Sequence, residues 1–202
     1  MNKKKLIPVI SIVVVCAVVF GIYAAVRDSQ GSRNEPNIPV PERVASTTVP
    51  FETYTNPAAK VSFAIPEDWE QIPGSAVRVE SPDFAEEAVA GTNQKHVTAG
   101  AAISLEKEEL LIDNSDEYVA ILEEMQESPE CGNCLTGHRI TIDGVPAYLA
   151  FASIGTSTEP RGAIISFVSG GYGYRLLMGF ASYTELSKEI LAEVIGTFAL
   201  TK

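Results

Sequence analysis

YTNPAAKVSFAIPEDWEQ, Tyr54 to Gln71, is the stretch on which the reading of the fold turns. Val61, Phe63 and Ile65 alternate with Ser62 and Ala64, the period of two that belongs to a half-buried strand. Asn56-Pro57 marks a turn before it, with Tyr54 in a short strand on the far side. Pro66 ends the strand because proline has no N–H to give a ladder. Trp69, the only tryptophan, follows within a turn and is expected to cap a core.

Outward from there, the chain alternates extended pieces with two helices. Pieces at about 76–80 (AVRVE) and 99–106 (AGAAISLE) flank a polar connection that contains His96. Asn114 is a good N-cap, and Glu117 three residues on gives a capping-box spacing. Tyr118, Ile121, Leu122 and Met125 then fall at the spacing of one helix face, and Pro129 stops the helix. HRITI and PAYLAFASI are strands joined by Asp143-Gly144; AIISFVS and YGYRLLMGF are joined by Gly170-Gly171. Both dipeptides are tight-hairpin signals. A last helix over about 184–195 carries Leu186, Ile190, Leu191 and Val194 as its apolar stripe, with Gly196 placed as a C-cap. The sum is one α+β domain, an antiparallel sheet of six or seven strands with two helices.

In this order of elements, the stretch Tyr54–Gln71 resembles the opening motif of the PsbP-like superfamily, with Phe63, Pro66 and Trp69 in its Phe-x-x-Pro-x-x-Trp positions. The hairpin from Asp143 to Tyr148 and the closing Thr197-Phe198 are similar to further steps of that family. The resemblance covers about 52–200 and implies an α/β/α sandwich around a central antiparallel sheet. The family's common denominator is docking on another macromolecule rather than an active site, so it implies no function-bearing residue.

Residues 6–26, LIPVISIVVVCAVVFGIYAAV, are uncharged and would span ~31 Å as a helix, about the thickness of a bilayer core. Lys3, Lys4 and Lys5 precede the segment and only Arg27 follows, so the N-terminus (1–5) is expected in the cytoplasm and the rest outside. A cleaved secretory signal and a lipid site at Cys16 compete with the single-pass anchor. The segment is longer than a signal's apolar region, and Val15 is not the small residue that lipidation wants before the cysteine. Residues 27–50 hold four prolines and read as an extended linker; 51–202 form the extracytoplasmic domain. Setting aside Lys3, Lys4, Lys5 and Arg27 leaves eleven of the 15 basic residues against all 26 acidic ones, a net of −15. Such a surface disfavours nucleic acid and anionic lipid headgroups.

Several constellations bear on chemistry. Cys131-Gly-Asn-Cys134 beyond a membrane most simply forms a local disulfide. A redox pair would want its first cysteine at a helix N-terminus, and this one follows a helix. His138 gives a third zinc ligand at most. His96 and His138 are the only histidines, and no serine sits in a nucleophile elbow. DNSDE at Asp113–Glu117 lacks the glycine and distal glutamate of a calcium loop and is explained by capping. No catalytic, metal or cofactor residue is therefore assigned. Tyr172 and Tyr174, at the Gly170-Gly171 tip, are candidate contact residues. The expectation is a membrane-tethered docking or assembly module at the plasma membrane, its partner another envelope protein. A small-ligand carrier or enzyme with a pocket on the sheet, and a thiol redox role for Cys131 and Cys134, are the alternatives.

Overall fold

The structure, a computed structural model, describes residues 38–43, 49–73, 77–88, 95–127, 137–153 and 159–201. The anchor segment 6–26, most of the linker, and Cys131 and Cys134 lie outside these residues. No helix among the described residues is long and apolar enough to cross a membrane.

The body is mixed α+β and every strand pairing in it is antiparallel. In chain order the strands are β1 (Phe51–Asn56), β2 (Val61–Pro66), β3 (Glu70–Gln71), β4 (Arg78–Glu80), β5 (Ala85–Ala88), β6 (Lys95–Ala99) and β7 (Ala101–Glu109). Helix α1 (Ser115–Glu127) follows, then β8 (Gly137–Ile142), β9 (Val145–Ser153), β10 (Pro160–Ser169), β11 (Tyr172–Phe180), helix α2 (Glu185–Thr197) and β12 (Ala199–Leu200). The main sheet has seven strands in the order β3-β4-β7-β11-β10-β9-β8; β1-β2-β12 and β5-β6 form two smaller ones.

Side-chain parity on β9 shows how the layers stack. Ala147, Leu149 and Phe151 join the main core with β2, β7, β10, β11 and α2, whereas Tyr148 and Ala150 face the other way and pack with Val119 and Leu122 of α1. The helices thus lie on opposite faces of the seven-stranded sheet, α2 sharing its face with β1 and β2. Val61, Phe63 and Ile65 of β2 are nearly inaccessible as expected, but Ala64 between them is buried too, so the strand is covered on more than one face; Trp69 is buried at the core's margin.

Local chemistry sets the turns. Asn56 Oδ1 accepts from Ala59 N–H at 2.8 Å and closes the β1–β2 turn. Asp143 and Gly144 have φ of 49° and 74°, Gly170 and Gly171 of 58° and 77°, the positive values a two-residue hairpin needs. Asp143 also ties its turn to β12, its Oδ2 accepting from Leu200 N–H at 2.8 Å. Thr197 Oγ1 donates to Glu193 O at 2.6 Å and accepts from Ala64 N–H at 2.8 Å. The hydroxyl thereby satisfies a β2 donor just beyond the point where the short β12 stops pairing.

Several expectations need correction. The polar connection around His96 contains a hairpin, β5–β6, in which Glu86 pairs with Lys95 across the hairpin and with Arg78 of β4 at 3.3 Å. The hydrogen bond from Lys95, ahead of that from Arg78, holds the Glu86 carboxyl below its ordinary range. Leu186 is exposed; the buried face of α2 runs through Ser187, Ile190, Leu191 and Val194. Ser187 turns inward because it completes a capping box with Thr184 and donates to Ser182 O at 2.8 Å. Gly196 is no C-cap: α2 runs through it, and Phe198 follows with an ordinary negative φ. In α1, Val119 is fully buried while Ile121, Leu122 and Met125 are half-buried.

Candidate functional site

The β8–β9 turn, the β10–β11 turn and the loop from β7 into α1 meet at one end of the main sheet. Leu110 N–H donates to Gly171 O at 2.9 Å, which fixes the loop against the second turn. Between them and the first turn of α1 lies an open groove of about 470 Å³, with Val145, Pro146 and Val168 among its apolar residues and Asp113 and Asp116 at its acidic rim. Asn114 Oδ1 accepts from the backbone N–H of Asp116 (3.0 Å) and Glu117 (3.4 Å), so the DNSDE stretch is a helix cap. Asp116 further pairs with Arg139 at 2.7 Å, and the same guanidinium holds Glu123 at 3.0 Å. That hydrogen bond depresses the Glu123 carboxyl and pins α1 to β8.

Ser115 lines the groove, but its hydroxyl is fully engaged. Oγ donates to Pro146 O at 2.6 Å and accepts from Val168 N–H at 3.0 Å. A nucleophilic serine needs a positioned base, and neither histidine supplies one here. His138 Nε2 lies 2.6 Å from Ile38 O on the α2 face of the sheet, which also engages the ring proposed as a zinc ligand. His96 belongs to β6. No group of three or more His, Cys, Asp or Glu side chains among the described residues converges as metal ligands.

The two candidate contact tyrosines separate. Tyr172 is 41% exposed, its ring 4.3 Å from Lys107 Nζ. Tyr174 is buried, stacked on Phe167 with ring centroids 5.0 Å apart. It sits opposite Phe167 in the β10–β11 ladder, on the inner face, so its closeness to the tip does not expose it. The residue missed from sequence is Leu111, 78% exposed on the loop that carries the groove's rim. Its signal was legible: Leu110-Leu111-Ile112 is an apolar run between Glu109 and Asp113.

Elsewhere, Tyr183 packs edge-on to Phe151 (5.6 Å) and tilted to Phe180 (6.0 Å). Its hydroxyl is buried with no hydrogen-bond partner among the described residues. Burial first, and then the Glu185 carboxylate, push its pKa up to about 12. The unfolded phenol ionises near 10. The folded state therefore holds the proton longer, and this contribution to stability is complete below about pH 10 and lost as pH rises toward about 12. Tyrosinate absorbance during alkaline titration is expected to lose a late-ionising component in Tyr183→Phe; a late phase unchanged by that substitution would contradict the assignment.

No protein-family model matches the sequence, and no curated protein matches it. Among solved structures, the chain is similar to a protein from Bacteroides thetaiotaomicron at 12% identity, over 74% of this chain and 48% of that one, with a TM-score of 0.44. It thus spans about half the length of that protein. It is similar to cyanobacterial PsbP from Synechocystis at 11% identity, over 78% and 96% of the two chains, with a TM-score of 0.47. Similarity to the Ran-binding protein Mog1p of Saccharomyces cerevisiae stands at 10% identity, over 77% and 97%, with a TM-score of 0.41. The Synechocystis structure is of the family whose opening motif this sequence resembles. At these identities and TM-scores no family membership, activity or partner passes to this chain.

Proposed function

We propose that this chain is a docking module tethered to the outer face of a bacterial plasma membrane by residues 6–26, with a PsbP-like α/β/α body. The observation that carries the reading is the exposure of Leu111 and Tyr172 at the hairpin end of an acidic domain. An exposed leucine and an exposed aromatic at the same end of a sheet supply the kind of apolar anchors around which docking surfaces are built. Asp113, Asp116 and Glu117 beside it select a partner with a basic surface. The outer compartment also suits a disulfide between Cys131 and Cys134. A photocrosslinker at position 111, in the full chain in its native membrane, is expected to trap an envelope protein that a crosslinker at the exposed Thr53 does not, and Tyr172→Asp is expected to abolish the adduct. Equal trapping from both positions would sink the reading.

A second reading, a small-ligand carrier, is favoured by the groove of about 470 Å³, which falls in the size range of ligand sites. It expects a ligand to protect the amides of Asp116 and Gly170 from hydrogen exchange.

A further inference from the structure

Residues 38–43, IPVPER, belong by sequence to the spacer, yet they are built into the body. Ile38 and Val40 pack against the main core. The Ile38 carbonyl meets His138 Nε2, whose ring stands edge-on to Phe151 at 6.4 Å. Arg43 grips Glu193 of α2 with both arms, Nε to Oε1 at 3.0 Å and Nη2 to Oε2 at 2.9 Å. Glu193 is only 6% exposed, and a carboxylate so buried requires a cation. Gly196, three residues on along α2, leaves the room: a Cβ there would come within 2.9 Å of Arg43 Cδ. Pro39 and Pro41 restrict the backbone in advance, so docking the segment costs little entropy.

We propose that Ile38–Arg43 is a latch, a ligand held in cis by the cleft between α2 and β8, and that it sets how far the domain reaches from the membrane. The reach rests on reading 6–26 as an anchor; the latch does not. With the latch closed, the free tether is 27–37, eleven residues that span at most about 36–40 Å. With it open, the tether runs from 27 to 48, 22 residues and about 73–79 Å, because the Pro50 carbonyl stays bonded to Glu67 N–H. The closed latch also turns the β8–α2 edge toward the tether and so restricts which partners the domain can meet.

The test uses the full chain in nanodiscs carrying dansyl-headgroup lipid, with energy transfer from the single tryptophan, Trp69, reporting height. Arg43→Glu sets like charges against each other and is expected to lower transfer by at least about two-fold, because transfer falls far more steeply with distance than the tether's span grows with length. It is also expected to shift the ring resonances of His138, whose Nε2 meets the Ile38 carbonyl. Glu193→Gln removes the charge at constant size and gives the same shift should the first variant misfold. Unchanged His138 resonances in variants whose Trp69 emission is native overturn the latch. Shifted resonances with unchanged transfer overturn its control of reach. A wild-type chain that does not co-float with lipid, while Arg43→Glu still shifts the His138 resonances, overturns the anchor and leaves the latch standing.

Discussion

Phe167→Ala is expected to lower the unfolding free energy by about 3–5 kcal/mol, a large share of the 5–15 kcal/mol typical of a domain. Phe167 is completely buried on the inner face of β10. Its ring stacks on Tyr174 and meets Phe198 edge-on at 5.5 Å. Phe198 stacks in turn on Phe63 at 6.1 Å, and Phe63 meets Tyr54 at 5.2 Å. This row of rings carries the contact from the seven-stranded sheet across to β1 and β2. Truncating Phe167, which sits between Tyr174 and Phe198 in this row, leaves a cavity that strands on both sides cannot close, and forfeits aromatic contacts worth about 0.5–1.5 kcal/mol beyond area burial. Phe84, half-buried beneath Arg78, is the comparison; its truncation removes less contact and is expected to cost clearly less. Urea unfolding followed by Trp69 fluorescence should show a lower midpoint with an unchanged slope for Phe167→Ala. Equal midpoints for the two variants would remove Phe167 from the centre of the core.

What could be read from sequence was what neighbours in the chain decide. The strand β2 and its inward residues Val61, Phe63 and Ile65 need only residues 61–65, and the hairpins need only their two turn residues, so both readings hold, although Ala64, read as facing out, is buried as well. What could not be read was decided across the fold. The strands β5 and β6 place Glu86, Glu87, Lys95 and His96 on a hairpin tied to β4 by the Glu86–Arg78 ion pair, and no period-two apolar signal exists there to find. Leu186 fits the helical stripe as well as its neighbours do, but the Thr184–Ser187 capping box settles the rotation of α2 and leaves it outside. The latch was hidden for the opposite reason: proline-rich composition is shared by free spacers and by segments pre-set for docking.

The candidate site shows the same division. Asn114 as a cap follows from local spacing, and the structure has it. The role of Ser115, next to it, depends on two strands that are distant in sequence. In the β9–β10 ladder, the register that pairs Ser166 with Tyr148 would bring Val168 opposite Pro146, where the ladder ends. The Ser115 hydroxyl enters there and bridges the Val168 N–H to the Pro146 carbonyl, joining α1 to both strands with one oxygen. Nothing in DNSDE announces this, since any small polar residue is acceptable at the first turn of a helix.

Ser115→Ala tests that bridge. It leaves a buried donor on Val168 and an acceptor on Pro146 without their partner, at about 1–3 kcal/mol for each group that water does not reach. Asn114 still caps α1, so the loss is expected at the helix–sheet junction and not in helix content. Circular dichroism should therefore stay near wild type while the unfolding midpoint falls. Exchange at the Val168 amide should accelerate more than at Ile165, which lies deeper in the same strand. Ser115→Thr keeps the hydroxyl and is expected to recover most of the exchange protection, at a small packing cost for the extra methyl in a buried place. A variant without the hydroxyl that protects Val168 as well as the native chain does would show that the strands close the gap themselves. In that case the α1 junction, and the groove whose floor it forms, would be held by the packing of Val119 and Leu122 on Tyr148 and Ala150, because the Arg139 ion pairs join exposed side chains and contribute only about 0–1 kcal/mol each.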